Sequence, residues 1–396
     1  MQAFEYFVPT EIVFGAGSTE KLPELLKKRG LSRVLVVYGG ASAKKSGLLD
    51  RVFRLLDKAD VRYRSLGGVQ PNPRVALARE GVQLALESGA ELILAVGGGS
   101  VIDTCKAIAH GAANPGTDIW EFWKRRAPLT KSMPVGVVLT IPAAGSETSD
   151  SAVLTDETIL QKRGLNTDYN RPVFAIMDPT LAATLPRRQV ACGVTDILMH
   201  TLERYFNPIQ GNETTMQLAE SVLRVTIANG PAVVDNPGNY DAMSEIMWCG
   251  SLSHNGLTGL GGAKGLSVHP VSFALSEKFD IIHAEALSAL WCSWARYVCK
   301  VNPENEKLFA RFARSVWDIA EPNIHKAANA GIDASEAYFK SLGMPVSIGA
   351  LSCGVQDAAG VEDLAARVSY HGTRRVGTLV SLDHEALREI FEMANH

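Results

Sequence analysis

The chain has 396 residues, of which 46% are hydrophobic and 20% are charged, and its formal net charge is −3. A chain of this length exceeds one ordinary hydrophobic core, so two domains are expected. The near-neutral charge provides no basic surface for nucleic acid or for an acidic membrane, and no apolar run predicts a transmembrane helix. The first residues lack the pattern of a signal peptide, and the six cysteines lack paired spacing. We therefore expect a cytoplasmic protein with buried thiols and with no nucleic-acid or membrane partner.

The first half of the chain alternates apolar strand patterns with amphipathic helix patterns. This alternation predicts an α/β domain with a parallel sheet that is covered on both faces. The predicted strands are 33–38, 61–65, 91–96, 134–140 and 173–177, and the predicted helices include 46–58 and 74–88. Ligands of such sheets bind beyond the carboxyl ends of the strands.

From residue 185 onward the patterns are helical, without a convincing strand. The sequence therefore predicts an α/β domain over residues 1–184 and an all-α domain over residues 185–396. A cleft between two such domains is a favoured place for a site.

A glycine run follows the strand predicted at 91–96. In Gly97-Gly-Gly-Ser-Val-Ile-Asp103, the glycines allow a sharp turn and a close approach of the backbone to a ligand. Ser100 is predicted to cap the next helix, with Asp103 completing a capping box. Such a helix start can bind pyrophosphate, or it can be a tight turn that binds nothing. The run is not the GxGxxG fingerprint of a standard Rossmann domain.

The loop over residues 140–149 is rich in small and hydroxylated side chains, which suit a phosphate or a ribose. An ordinary solvated loop is the alternative. Lys162 lies in a short polar connection, where a lysine is typically solvated.

The residues after the first predicted buried strand bear on the choice of nucleotide. NAD-binding folds often place an acid after the second strand, where it binds the ribose hydroxyls. Residues 38–45 contain no acid and two lysines, and Gly40 and Ser42 could hydrogen-bond a 2′-phosphate. If this is the adenosine-ribose loop, NADP is favoured over NAD.

The second half contains four potential metal ligands. Asp196 and His200 are four residues apart, so they lie on one face of a helix, one turn after the other. His269 follows a glycine-rich loop and His283 begins a helical pattern. One carboxylate and three imidazoles would make a divalent-metal site. Each residue also has an ordinary alternative, because an Asp/His pair often forms only a hydrogen bond and helical histidines are often structural.

Taken together, these motifs resemble the iron-containing (group III) alcohol dehydrogenases. The matching segments fall in the family's order over nearly the whole chain: Phe14-Gly-Ala-Gly, Gly97-Gly-Gly-Ser-Val-Ile-Asp103, 139–147, Met177-Asp-Pro, Gly193-x-x-Asp196-x-x-x-His200, His269, His283 and 342–345. Residues 38–45 and 71–73 are most similar to the butanol dehydrogenase and NADPH-dependent aldehyde reductase branch, which implies NADPH preference and a homodimer.

The resemblance also implies roles for individual residues. The metal would be Fe²⁺ or Zn²⁺. Its ligands would be Asp196, His200, His269 and His283. The cofactor-binding residues would be Gly40, Ser42, Gly97, Gly98, Gly99, Ser100, Asp103, Thr140, Ser146, Ser149 and Lys162. The metal would polarise a substrate oxygen while hydride moves between the substrate carbon and the nicotinamide.

Two positions depart from the family pattern. Phe273 stands where many members have a histidine assigned to proton relay, so the proton is expected to leave through water or ribose hydroxyls. Ala284 stands where members commonly have glycine. Three other readings stay open: a polyol dehydrogenase, a dehydroquinate synthase-like lyase and an inactive member of the fold. The lyase needs an Arg and Lys cluster that is not seen beside the ligands.

Overall fold

The computed structural model describes residues 2–40, 42–209 and 211–396. Six strands form one parallel sheet in the order β1-β8-β5-β4-β2-β3, and β6 pairs with β7 in an antiparallel hairpin. The strands are β1 (Glu11–Phe14), β2 (Arg33–Tyr38), β3 (Arg62–Leu66), β4 (Leu92–Gly97), β5 (Val135–Leu139), β6 (Ser151–Asp156), β7 (Gln161–Asn166) and β8 (Phe174–Met177).

The central strands β2 and β4 are almost entirely apolar. Every residue of β4 is buried, as are five of the six residues of β2, and the two strands pair with Val34 opposite Leu92. A strand that is buried on both faces needs helices above and below it, and this is the arrangement that the continuous apolar runs predicted. The predicted α/β class is therefore confirmed.

The direction of the connections marks where this sheet can bind a ligand. After β2 the chain moves to β3 on one side, and after β4 it moves to β5 on the other side. The loops that leave β2 and β4 therefore diverge at the carboxyl edge, which opens a crevice between them. Gly39 and Gly40 lie on one side of this crevice, and Gly98 and Gly99 lie on the other.

The helices of the first half are α1 (Leu22–Lys28), α2 (Ser42–Lys45), α3 (Leu48–Lys58), α4 (Val75–Ser88), α5 (Gly99–Ala113) and α6 (Ile119–Trp123). Those that follow are α7 (Arg187–Tyr205), α8 (Glu213–Asp235), α9 (Tyr240–His254), α10 (Val268–Phe279), α11 (His283–Val301), α12 (Glu306–Trp317), α13 (Ile324–Ser341), α14 (Ala358–Ser369) and α15 (His384–Ala394). In the described ranges no helix is both long and apolar enough to cross a membrane.

Two compact units divide the chain. The sheet unit comprises Phe7–Leu185 and Pro237–Asn255, and the helical unit comprises Met1–Tyr6, Pro186–Asn236 and Gly256–His396. The sequence-based division assigned 237–255 to the helical domain and 1–6 to the other, so both segments change units. Local patterns could not reveal this, because α9 is an ordinary helix whose partners are loops of the sheet unit.

The helical unit has an aromatic core. Phe206 stacks on Phe309 with their ring centroids 4.1 Å apart, and Trp291, Trp294 and Phe312 surround this pair. Aromatic rings bury large areas and interlock in fixed geometries, so this cluster fixes α11 and α12 against the end of α7.

Candidate metal centre and nucleotide loops

Helix α7 carries the predicted Asp/His pair. Asp196 and His200 are 6% and 3% exposed, which is unusual for such polar side chains. The Nδ1 atom of His200 donates a hydrogen bond to the carbonyl oxygen of Asp196 over 2.9 Å. Because Nδ1 is the donor in this tautomer, Nε2 carries the lone pair that a metal would use.

His269 joins this pair from a second helix. The sequence placed it after a glycine-rich loop, and in the structure it is the second residue of α10. Its ring centroid lies 4.4 Å from that of His200, and Asp196, His200 and His269 each offer one ligand atom within 4.8 Å of the others. The structure thus brings together residues from two separate helices.

His283 lies beside this group as the first residue of α11. Its Nε2 atom is 4.0 Å from Asp196 Oδ1, and its ring centroid is 5.1 Å from that of His269. It falls outside the group of three whose ligand atoms lie within 4.8 Å of each other. The fourth predicted ligand is therefore adjacent to the cluster.

The side chains of the cluster fit a divalent metal. Asp196 Oδ1 and His269 Nε2 are buried and make no hydrogen bond. His200 Nδ1 is only 3.2 Å from Asp196 Oδ1, but that nitrogen bonds to the Asp196 carbonyl. Buried polar atoms are normally satisfied, so two such atoms in one cluster point to a bound cation. A carboxylate with imidazoles is a donor set that suits Fe²⁺ or Zn²⁺.

The protonation states of the cluster residues also suit a metal site. Burial opposes ionisation of Asp196, but the neighbouring His200, with His283 and His269, holds the pKa of this carboxyl well below its usual range. Burial, together with His200, lowers the pKa of His269. Asp196 is therefore charged and His269 neutral near pH 7, as a metal requires of its ligands.

Glu203 is a buried carboxylate that the sequence reasoning missed. It lies three residues after His200 on α7 and accepts a hydrogen bond from His269 Nδ1 over 2.9 Å. Burial raises the pKa of Glu203, but this hydrogen bond from His269 and backbone amides outweigh burial and lower it. The available signal was the spacing, since Asp196, His200 and Glu203 recur at intervals of four and three residues along one helix face.

The glycine run forms the junction of β4 and α5. A Cβ atom on Gly97 would lie 2.5 Å from a methyl carbon of Val101, and one on Gly98 would lie 3.1 Å from Ile141. The N-cap is Gly98, which provides no side-chain cap. The predicted cap at Ser100 is wrong, because Ser100 already lies inside the helix. The backbone amides at this helix start therefore remain available to an anion.

Asp103 and Ser146 belong to a buried network rather than to a capping box. The Ser146 hydroxyl donates to Asp103 Oδ1 over 2.6 Å, and the Val153 amide donates to Asp103 Oδ2 over 2.8 Å. Lys106, which is fully buried, donates to Ser146 Oγ and to the carbonyl oxygens of Ser149 and Ser151. Burial lowers the pKa of Lys106 to about 8. This network holds the hydroxyl-rich loop against α5.

Lys162 is not the solvated lysine that its polar surroundings predicted. It lies on β7, is 7% exposed, and its Nζ atom donates to Asn72 Oδ1 over 2.9 Å. The hairpin of β6 and β7 was missed because β7, the strand that carries Lys162, is mostly polar.

The remaining predicted nucleotide residues lie near the crevice edge. The Thr140 amide donates to the Gly97 carbonyl over 3.1 Å, so these two loops are adjacent. Gly40 is exposed, and a Cβ atom there would meet nothing within 4 Å. The side chain of Ser42 lies outside the described part of the chain.

Helix α9 supports the hydroxyl-rich loop from the other side. His254 Nδ1 donates to the Ala144 carbonyl over 2.7 Å, and the Ser251 hydroxyl donates to the buried Glu147 carboxyl. Gly145 has a φ of +65°, and a Cβ atom there would lie 2.5 Å from the Gly250 carbonyl. Only glycine fits this close approach.

A parallel sheet with a glycine-rich helix start, together with a buried cluster of one carboxylate and imidazoles, is characteristic of metal-dependent nicotinamide oxidoreductases. Residues 9–179 match the family described as iron-containing alcohol dehydrogenase, and residues 190–394 match the C-terminal part of the Fe-containing alcohol dehydrogenase family. The chain belongs to the iron-containing alcohol dehydrogenase family. The resemblance drawn from the sequence motifs is confirmed.

Relatives cover the full chain. It is 35% identical over 393 residues to NADH-dependent butanol dehydrogenase A of Clostridium acetobutylicum, with 99% of both proteins covered. It is 34% identical over 400 residues to the NADPH-dependent aldehyde reductase YqhD of Escherichia coli, with 100% of both covered. The structure of NADH-dependent butanol dehydrogenase A from Thermotoga maritima superposes with a TM-score of 0.93 at 31% identity, covering 100% of this chain and 99% of that one. The protein is therefore an oxidoreductase of the alcohol dehydrogenase class, which uses a divalent metal and a nicotinamide cofactor.

Proposed function

We propose that the protein interconverts short primary alcohols and aldehydes, such as butanol and butyraldehyde, with a divalent metal held by Asp196, His200, His269 and His283. The observation that carries this proposal is the buried cluster in which Asp196 Oδ1 and His269 Nε2 make no hydrogen bond. Phe273 adds an apolar ring whose centroid is 5.9 Å from that of His283. An apolar neighbour favours an aliphatic chain over a polyol.

Each residue has a defined task in this reaction. Once bound, the metal supplies a Lewis acid to the substrate oxygen, and the nicotinamide supplies or accepts the hydride. Asp196 contributes the negative charge of the ligand set, and the histidines contribute neutral nitrogens. Phe273 cannot carry a proton, so the proton of the alcohol leaves through water or the ribose hydroxyls.

The backbone at Gly97, Gly98 and Gly99 is proposed to bind the pyrophosphate of the cofactor. The amides at the start of α5 have no side-chain cap, and the positive end of the helix dipole attracts an anion. The other predicted residues then divide into two groups. Ser100, Thr140, Ser149 and Lys162 are proposed to contact the nucleotide, and for Lys162 this contact would add to its hydrogen bond with Asn72. Asp103 and Ser146 bond to each other and are proposed to hold the loop.

NADP(H) is proposed as the preferred cofactor. The segment after β2 carries Lys44 and Lys45 and no acid, so it does not repel a 2′-phosphate. Lys44 Nζ lies 5.2 Å from the centroid of the Tyr38 ring, beside the end of β2. We expect kcat/KM to be higher with NADPH than with NADH. Gly40→Asp should reverse this preference, because an acid there repels the phosphate and can bind the ribose, and Lys58→Glu should leave it unchanged.

The proposed reaction is tested by metal analysis together with turnover. The purified protein is loaded with Fe²⁺ or Zn²⁺ and assayed with C2 to C8 aldehydes and glycerol, under NADPH and under NADH. We expect about one metal ion per protein chain and the highest kcat/KM with unbranched aldehydes. Turnover of glycerol alone would indicate a polyol dehydrogenase. Full metal loading without any turnover would indicate an inactive member of the family.

The predicted homodimer and cytoplasmic location are also proposals. Phe4, Tyr6 and Phe7 are 47%, 44% and 57% exposed, and apolar rings this exposed are typical of contact surfaces. All six cysteines are free thiols, which suits a reducing compartment. Light scattering on wild type and on Phe7→Ser should show a dimer that the substitution weakens. Cell fractionation tests the location.

A further inference from the structure

Glu203 is a buried carboxylate for which the proposed metal site provides no ligand role. Its side chain is 1% exposed, and burying a carboxylate is costly unless its oxygens are hydrogen-bonded. It lies on the same face of α7 as Asp196 and His200, because the three are separated by four and three residues.

Four N–H groups satisfy this carboxylate. Oε1 accepts from the Val268 amide over 2.6 Å, from the His269 amide over 2.8 Å and from His269 Nδ1 over 2.9 Å. Oε2 accepts from the Ser267 amide over 2.5 Å. The first amides of a helix have no acceptor within it, and the N-cap residue Ser267 makes no side-chain cap. Glu203 therefore takes the place of the cap for α10.

The same oxygen restrains His269 twice. Its backbone amide and its ring Nδ1 both donate to Oε1, so the position and the rotation of the imidazole are set by one atom. With Nδ1 carrying the proton, Nε2 presents its lone pair to the cluster, and this is the nitrogen that makes no hydrogen bond.

We propose that Glu203 is the positioning residue of the metal centre: it fixes the tautomer and orientation of His269 and joins α10 to α7. This inference rests on the proposed metal-dependent function. Helix α7 would then provide two ligands directly and orient a third. Outer residues of this kind typically contribute about 10- to 100-fold to metal affinity.

Glu203→Gln tests the proposal. Glutamine has nearly the same shape, but it is neutral, and its amide nitrogen would have to face one of the N–H donors. We expect the Kd for Zn²⁺, measured by chelator competition, to rise about 10- to 100-fold. The visible absorption bands of the Co²⁺-loaded protein should also shift, because they report the ligand geometry directly and do not depend on turnover.

Glu220→Gln is the matched control. Glu220 is also a buried glutamate of the helical unit, and it accepts from Tyr205 Oη over 2.9 Å and from Arg311 Nε over 2.7 Å. These bonded partners are not among the four predicted metal ligands. Its substitution should lower the melting temperature and leave the Kd for Zn²⁺ within twofold of wild type.

The outcomes separate this inference from the proposed function. If Glu203→Gln binds Zn²⁺ as wild type does and shows the same Co²⁺ spectrum, the positioning role is overturned while the metal site stands. If the wild type binds neither ion, the proposed function fails and this inference fails with it. Should Glu203→Gln not fold, Glu203→Asp replaces it. Its shorter carboxylate cannot reach all four donors, so a raised Kd supports the proposal and an unchanged Kd overturns it.

Discussion

Two buried histidines, His110 in the sheet unit and His269 in the helical unit, differ in how many of their ring nitrogens are hydrogen-bonded. His110 lies on α5 with Nδ1 2.8 Å from Ser132 Oγ and Nε2 2.8 Å from Asn170 Oδ1. The Nδ1 atom of His269 donates a hydrogen bond to Glu203, and its Nε2 atom makes no hydrogen bond. Burial is almost the same for both.

The difference shows how to tell a structural histidine from a candidate ligand. A histidine whose two nitrogens are both satisfied has no lone pair to offer, and its role is to hold neighbouring segments together. A buried histidine with one satisfied and one open nitrogen is oriented toward something that the protein itself does not provide. The proposed nucleotide loop depends on backbone amides, whereas the proposed metal centre depends on side chains.

Replacing His269, the histidine with an unbonded ring nitrogen, should reduce the activity most. His269→Ala is expected to lose the bound metal and to reduce kcat/KM for butyraldehyde by about a thousandfold or more, because a Lewis acid stabilises the transition state by several kcal/mol. NADPH binding, measured by fluorescence, should persist. His325→Ala, at an exposed histidine paired with Glu306, is the control and should behave as wild type. Full activity in metal-free His269→Ala would refute the assignment of the metal centre.

Replacing His110, whose two ring nitrogens are both hydrogen-bonded, should change the stability of the protein and not its activity. Burial lowers the pKa of His110 from 6.5 to about 4. Between pH 6.5 and pH 4 the unfolded chain therefore binds more protons than the folded chain. The free energy of unfolding is highest above about pH 6.5, and the part that is linked to His110 is lost as the pH falls toward 4. The full shift corresponds to about 3 kcal/mol.

Urea unfolding at pH 7 and at about pH 4.5 measures this effect. We expect wild type to lose about 2 kcal/mol more than His110→Gln between the two conditions, because glutamine does not titrate. Parallel losses in the two proteins would show that His110 is not the group responsible.

The nucleotide loop should respond to a single methyl group. In Gly97→Ala the new Cβ would lie 2.5 Å from Val101, so the start of α5 must move. We expect KM for the cofactor to rise about tenfold, which is about 1.4 kcal/mol of binding, with metal content unchanged. Gly164→Ala is the control, because its Cβ would have Val153 as an ordinary neighbour at 4.0 Å. An unchanged cofactor KM in Gly97→Ala would argue against backbone binding of the pyrophosphate.

The smallest effect is expected at Phe273, one helical turn after His269. Phe273→His places a titratable group beside His283 and should add a limb near pH 6.5 to the pH profile of kcat for alcohol oxidation. The rate change should be only severalfold, because water already carries the proton. Phe273→Leu should keep the wild-type profile. If the two variants show the same profile, the position takes no part in proton transfer.

Local patterns were sufficient for much of the fold. The buried strands β2 and β4 were predicted nearly to the residue, because long apolar runs depend on neighbours in sequence. The hairpin of β6 and β7 was missed, because β7 is mostly polar and lacks such a run. The bounds of α10 were not predicted, because its first turn follows a glycine-rich loop and contains Pro270, which resembles a break although proline is acceptable at a helix start.

The sequence by itself determined the parallel sheet, the glycine run after β4, the Asp196/His200 pair and the family. Each of these depends on spacing within one segment, and spacing can be read directly. Only the tertiary structure decided that His269 approaches that pair, that Glu203 orients it, that Lys106 and Lys162 are buried, and that α9 belongs to the sheet unit. These facts depend on contacts between segments far apart in the chain, and burial and hydrogen bonding arise only when those segments pack.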